Sequence, residues 1–257
     1  MLLALLATCG PQPANADEPL IVFAAASLSE AFRELGADFE RREHMPVRFN
    51  FAGSQQLAAQ IEQGGLADVF ASADLRWMRD IETRGLAHGT PQPFAGNTLV
   101  VLIPKSNPAR INSPLDLARN GLRLVLAAAN VPAGAYSREA LEKLEREPGY
   151  PSDFARRVLA NVVSHEDNVR GVVGKVQLGE ADAGMCYRSD VSRFVARQVR
   201  AITLPATSNV LAIYPIVVLR DAPHADEARR FVAHVMSPAG QRILARHGFL
   251  PRAPRTR

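Results

Sequence analysis

The chain has 257 residues, 47% hydrophobic and 22% charged, with 17 Gly and 18 Pro. That mixture excludes a disordered chain, a collagen and a coiled coil, and the length suits one large domain or two of about 100–130 residues. The formal charge is +4, almost all of it arginine because Lys105, Lys143 and Lys175 are the only lysines; taken alone, that balance points to an acidic partner such as nucleic acid, a membrane surface or a small anion.

In chain order, residues 1–16 carry no charge and open on an apolar run, Met1 to Ala7, too short to cross a bilayer. Ala14-Asn15-Ala16 before Asp17 and Glu18 has the small-x-small form of a secretory cleavage site, so 1–16 is expected to be an export signal, although basic residues ahead of the apolar run are missing. A lipoprotein reading through Leu6-Ala7-Thr8-Cys9 is disfavoured by Thr8, where a smaller residue usually precedes a lipidated cysteine. Cleavage after Ala16 leaves Cys186 without a disulfide partner, and its apolar neighbours make it a core thiol.

Apolar runs then alternate with stretches of helical period, the pattern of an α/β protein. Strands are expected at Leu20–Ala25, Val47–Phe51, Asp68–Ser72, Leu99–Ile103, Leu122–Ala127, Ala183–Tyr187, Arg200–Leu204 and Ile213–Leu219. Helices are expected from Leu28 through Phe39, at Gln55–Gln63, Leu75–Thr83, Ala135–Glu145, Ser152–Ala160, Val169–Leu178, Ala225–Met236 and Pro238–Arg246, with a short one opening at Ser113-Pro114 and another from about Ser189. Pro91 and Pro93 interrupt the pattern near a seam at Pro93–Leu99, and Pro251–Arg257 reads as a loose tail.

Three strand-to-helix junctions are built from small residues: Ala25-Ala26-Ser27, Ala52-Gly53-Ser54 and Val131-Pro132-Ala133-Gly134. Ser27, with Glu30 three residues on, has the form of a capping box. Cap hydroxyls and first-turn amides also aim donors and the positive dipole end at one spot, which suits an anion. Pro132 fits a first helical turn, where its missing N–H costs nothing.

Other chemistries lack their signatures. His44, His88, His165, His224, His234 and His247 have no metal-ligand spacing and accompany no nucleophile elbow; no Walker or G-x-G-x-x-G sequence occurs. The arginine-rich segments alternate with acids at helical spacing and lack interleaved aromatics, so no nucleic-acid partner is expected.

From residue 20 to about 250 the chain resembles the periplasmic molybdate-binding proteins of ABC transporters. The resemblance is carried in order by Val22–Leu28, Phe51–Ser54, Gln60–Gly64, Ala67–Asp74, Val131–Gly134, Glu166–Arg170, Tyr187–Asp190 and Tyr214-Pro215. It implies the type II solute-binding fold: two lobes, each a mixed sheet flanked by helices, one formed by 17–97 and 208–257 and the other by 98–207, with the ligand cleft between them. It implies no cofactor and no enzymatic activity. Molybdate, and tungstate with it, is bound as cargo by the hydroxyls and amides of Ser27 and Ser54, the amides of Ala133 and Val169 and the hydroxyl of Tyr187, which contact molybdate oxygens and not a bare metal ion. The implied partner is the permease subunit of an ABC importer in the inner membrane, and the protein is expected to be a periplasmic monomer. Sulfate or thiosulfate is the alternative ligand. Gly53 stands where many relatives carry another serine, and Arg188 beside Tyr187 either adds positive field to the cleft or points to solvent.

Overall fold

The computed structural model describes residues 18–251. The export signal expected over 1–16, Cys9, and residues 252–257 of the expected tail lie outside the described residues.

Strands β1 (Leu20–Ala25), β2 (Val47–Ala52), β3 (Val69–Ala71) and β4 (Ala87–Asn97) open one sheet. β5 (Leu99–Pro104), β6 (Leu124–Ala127), β7 (Val162–Glu166), β8 (Ala183–Tyr187) and β9 (Val199–Thr203) form a second, and β10 (Ala212–Leu219) and β11 (Leu250–Pro251) return to the first. The six-stranded sheet runs β11-β4-β10-β3-β1-β2 and the five-stranded sheet β7-β6-β8-β5-β9. Both are mixed. β2-β1-β3 and β7-β6-β8 are parallel, whereas β10 and β5 join them antiparallel.

The helices are α1 (Ser29–Glu43), α2 (Ser54–Glu62), α3 (Leu75–Thr83), α4 (Pro132–Leu144), α5 (Phe154–Ala160), α6 (Val169–Gln177), α7 (Ala225–Met236) and α8 (Pro238–Arg246). α1 buries Phe32, Leu35 and Phe39, the stripe that its spacing predicts. Phe32 and Phe39 meet Phe231 of α7 edge-on, with ring centroids 6.1 and 5.3 Å apart. β8 is buried along its whole length, as a strand covered on both faces must be. Asp68 is buried in a structural role: its carboxylate accepts the Ile21 and His224 amides, each at 2.8 Å.

Four expectations change. The prolines do not end the pattern at Pro91: β4 runs through both, and its ladder with β10 shifts register beside the Pro93–Pro215 pair, where neither residue has an N–H to donate. β7 is an additional strand, hidden because none of its residues is fully buried. The helix expected from Ser189 resolves into two 3-10 turns, Arg188–Asp190 and Val195–Arg197. Pro251 is not tail but pairs with Ala95 of β4.

The chain crosses between the sheets twice, at Thr98 and over 204–211. Asn209 ties the crossings together, accepting the Leu99 N–H and donating to the Leu99 carbonyl, both at 2.9 Å.

Candidate functional site

A small cavity of about 10 Å³ lies between the two lobes. Ala26 and Ser27 follow β1, Gly53 and Ser54 follow β2, and Ala73 follows β3; opposite them Val131–Ala133 follow β6, Asn168 and Val169 follow β7, and Tyr187 ends β8. Every wall segment is the carboxyl end of a parallel strand, where open α/β sheets place their ligands. Ser27, Ser54, Ala133, Val169 and Tyr187 all border this one cavity, and every lining residue is uncharged. A wider groove between β4 and α7, beside His88, Gln92 and Met236, takes no residue from the second sheet.

The local reason for each donor can be followed. Ser54 is the first residue of α2, and its Oγ accepts the Ala73 N–H at 3.0 Å, leaving its proton uncommitted. Ser27 is not the cap that its sequence implies: the 3-10 turn begins one residue earlier, and the Ser27 Oγ lies 3.0 Å from the Tyr214 hydroxyl. Glu30 does not close a capping box and instead pairs with Arg170. In α4, Ala133 is a second-position residue whose amide has no carbonyl four residues back. Gly134 lets this helix start approach β6, since a Cβ there would lie 2.0 Å from the Ala128 carbonyl oxygen. In α6, the Asn168 side chain caps the Arg170 and Gly171 amides at 2.9 and 3.3 Å, so the Val169 N–H is the first-turn donor it does not reach.

Tyr187 is 1% exposed, and its hydroxyl is buried without a hydrogen-bond partner. Burial, reinforced by Tyr214 and other acidic neighbours, pushes the phenol well above its ordinary value, so it remains a donor. The Tyr187 N–H donates to Asp190 Oδ2 at 2.9 Å, while the other oxygen of this buried carboxyl has no partner. Burial pushes Asp190 up to about 7 against the opposing pull of Arg170.

Around the cavity the lobes touch through polar bridges. Arg170 of α6 pairs with Glu30 and donates to Ser29 Oγ at 2.8 Å. Burial alone would raise the Glu30 carboxyl, but Arg170 outweighs it and holds the group below its ordinary value. Gln55 donates to the Asp167 carbonyl at 2.7 Å, and the Trp77 indole to that of Asn130 at 3.0 Å. Gly53 matters here, because a Cβ would lie 2.6 Å from the Asp167 oxygen; in this closed arrangement a serine does not fit without displacement. Arg188 points to solvent.

Sequence reasoning missed Tyr214, Asn97, Asp190 and the Arg170–Glu30 bridge as parts of this site. Tyr214-Pro215 and Tyr187–Asp190 stood out as segments, but no local spacing joins Tyr214 to Ser27. Cys186 is fully buried, and burial pushes its thiol well up. Among the described residues no cluster of His, Cys, Asp and Glu could hold a metal ion, and no helix is long and apolar enough to cross a membrane.

Residues 20–250 match the family model for bacterial extracellular solute-binding proteins. The molybdate-binding protein ModA of Mycobacterium tuberculosis H37Rv is 39% identical over 258 residues, covering 97% of this chain and 94% of that protein. Among solved structures, the periplasmic molybdate-binding protein of Azotobacter vinelandii superimposes with a TM-score of 0.77 at 20% identity, covering 91% of this chain and 100% of that one. The sulfate-binding protein SubI of M. tuberculosis gives 0.81 at 16% identity, covering 92% and 88%; at these identities both likenesses concern the fold.

Proposed function

The chain belongs to the bacterial extracellular solute-binding proteins, and from that premise we propose that it captures molybdate, and tungstate with it, between its lobes and delivers it to an ABC importer. The proposed ligands are Ser27, Ser54, Ala133, Val169 and Tyr187; the proposed lobes are 17–97 with 208–257, and 98–207. The protein acts outside the cytoplasm, in the periplasm after loss of residues 1–16, as a monomer that docks on the permease subunit. Its ligand is cargo, and no cofactor takes part. The serines have no histidine beside them to make a nucleophile, so the role is capture and not catalysis.

The observation that carries this reading is the unpartnered Tyr187 hydroxyl, buried in an uncharged cavity whose other walls offer uncommitted donors. Near neutral pH molybdate is a tetrahedral dianion with acceptor oxygens only, so a lining of donors leaves none of its atoms unpaired. Hydrogen bonds to a charged group contribute about 1.5–3 kcal/mol each, and five of them suffice for tight binding after the cost of closure. Hydrogen phosphate brings an O–H that needs an acceptor, which disfavours it. Sulfate has the same charge and shape, and SubI shares the fold, so its rejection falls to cavity size.

The test is a thermal-shift and calorimetric panel of molybdate, tungstate, sulfate, phosphate and chromate. Molybdate and tungstate should each stabilise the protein by about 2.7 kcal/mol at a hundredfold excess over Kd. A flat response to both, or equal affinity for sulfate, refutes the assignment.

A further inference from the structure

We propose that Tyr214 is a positioning residue that makes the Ser27 hydroxyl an obligate donor toward the cavity, and so tunes the site to oxyanions that carry no proton. This inference rests on the anion-binding reading above and adds a residue that does not itself line the cavity.

Tyr214 lies on β10, fully buried, with its hydroxyl 3.0 Å from Ser27 Oγ. Distance alone leaves either oxygen free to donate. Asn97 decides between them. Its Oδ1 accepts the Thr98 N–H at 3.0 Å, which fixes the amide and turns Nδ2 toward Ser189 Oγ at 2.8 Å and the Tyr214 hydroxyl at 3.5 Å. The last separation is too long for a strong bond, but the direction of donation does not depend on its strength. An amide nitrogen presents protons and no lone pair, so Tyr214 cannot donate to Asn97. The acceptor that its own hydrogen bonds offer the phenol proton is Ser27 Oγ. Were Ser27 to donate instead, the phenol proton would face an NH2 group in a buried site, unpaired. Ser27 therefore accepts from Tyr214 and keeps its own proton for the cavity that it borders.

Ser54 reaches the same state by a different route, because the Ala73 N–H at its Oγ can only donate. The Tyr187 hydroxyl has no partner and completes the set. Three hydroxyls, groups that ordinarily donate or accept at will, thus present protons to the same space. An oxygen that itself carries a proton meets no acceptor opposite Ser27, whereas the bare oxygens of molybdate or sulfate do not need one. The chain Asn97, Tyr214, Ser27 runs from the crossing between the lobes to the cavity wall, so this preference is built into the scaffold.

The test is a double-mutant cycle of wild type, Tyr214→Phe, Ser27→Ala and the double variant, titrated calorimetrically with molybdate and with inorganic phosphate at pH 8, with the melting temperature of each unliganded protein recorded. Tyr214→Phe should weaken molybdate binding about tenfold in the wild-type background and less than twofold in the Ser27→Ala background, because its effect passes through that hydroxyl. In Tyr214→Phe the preference for molybdate over phosphate should shrink at least threefold, since a released Ser27 can turn and accept. A packing role alone weakens both anions alike and additively. Failure of wild type to bind molybdate removes the anion-binding reading itself. Wild-type binding accompanied by additive losses, an unchanged anion preference or an unaffected Tyr214→Phe overturns the role given to Tyr214.

Discussion

The two walls of the cavity are held in different states. On the first lobe each serine already has a partner: Ser27 has Tyr214, and Ser54 has the Ala73 amide. On the second lobe the Val169 amide lies beyond the reach of its own helix cap, and Tyr187 buries a hydroxyl with no partner. The first wall holds each hydroxyl by a bond its oxygen accepts, so its proton is aimed before a ligand arrives; the second keeps a buried hydroxyl with no partner at all. On the proposed reading, a first-lobe donor serves stability as well as binding, whereas the Tyr187 hydroxyl serves binding at the expense of stability.

Substitutions can break that contrast, and the largest effect is expected at Asp190 behind the second wall. Burial raises this carboxyl to about 7 in the folded protein, above its unfolded value of about 3.9. Between those values the folded chain holds a proton that the unfolded chain has released, so the contribution of this group is full at low pH and is lost as pH rises through 7. Asp190→Asn, which keeps an acceptor for the Tyr187 N–H, should gain on wild type by about 1.4 kcal/mol per pH unit from pH 4 to 7. Urea melts across that range check it, and a pH-independent difference removes the strained acid from the description.

Ser54→Ala comes next. It strands the Ala73 amide, so the unliganded protein should lose about 1–3 kcal/mol while molybdate affinity falls at least tenfold. Calorimetry and melts on the same samples read both, and Ser27→Ala should weaken binding to the same degree without unfolding the protein. Tyr187→Phe tests the other wall with a change of opposite sign: affinity falls up to about tenfold, yet the unliganded melting temperature rises by about 2–4 °C, the response to roughly 1 kcal/mol in a chain of this size. A fall in that temperature would erase the distinction between the walls. The smallest effect belongs to Arg170→Met, which removes a part-buried bridge to Glu30 worth about 1 kcal/mol; affinity should drop two- to fivefold, with little change in the melting temperature.

The wall segments were legible in the sequence because their signals are local. Small residues after an apolar strand and a proline at a helix start mark Ser54 and Ala133 without any knowledge of the rest of the chain, whereas Val169 and Tyr187 entered only through the family resemblance. The partners were not legible. Tyr214 lies 187 residues from Ser27, and nothing near either residue predicts the pairing. The same long-range bond explains the misread cap, since Tyr214 claims the hydroxyl that the helix start was expected to use. β4 escaped notice for the reverse reason: its prolines are strong local signals against a strand, and pairing with β10 across a shifted register overrides them.

The uncharged lining has a consequence for ionic strength. The cavity offers an anion no formal positive charge, and the cation that bridges the lobes, Arg170, is already paired with Glu30. Short-range dipoles buried between two lobes are poorly screened by salt, whereas the field of a chain with net charge +4 is screened beyond about 10 Å at 0.1 M. Added salt should therefore slow the approach of an anion and leave its departure almost untouched. On the proposed reading, arginine would govern how fast the ligand is found, and neutral backbone and hydroxyl groups how long it stays.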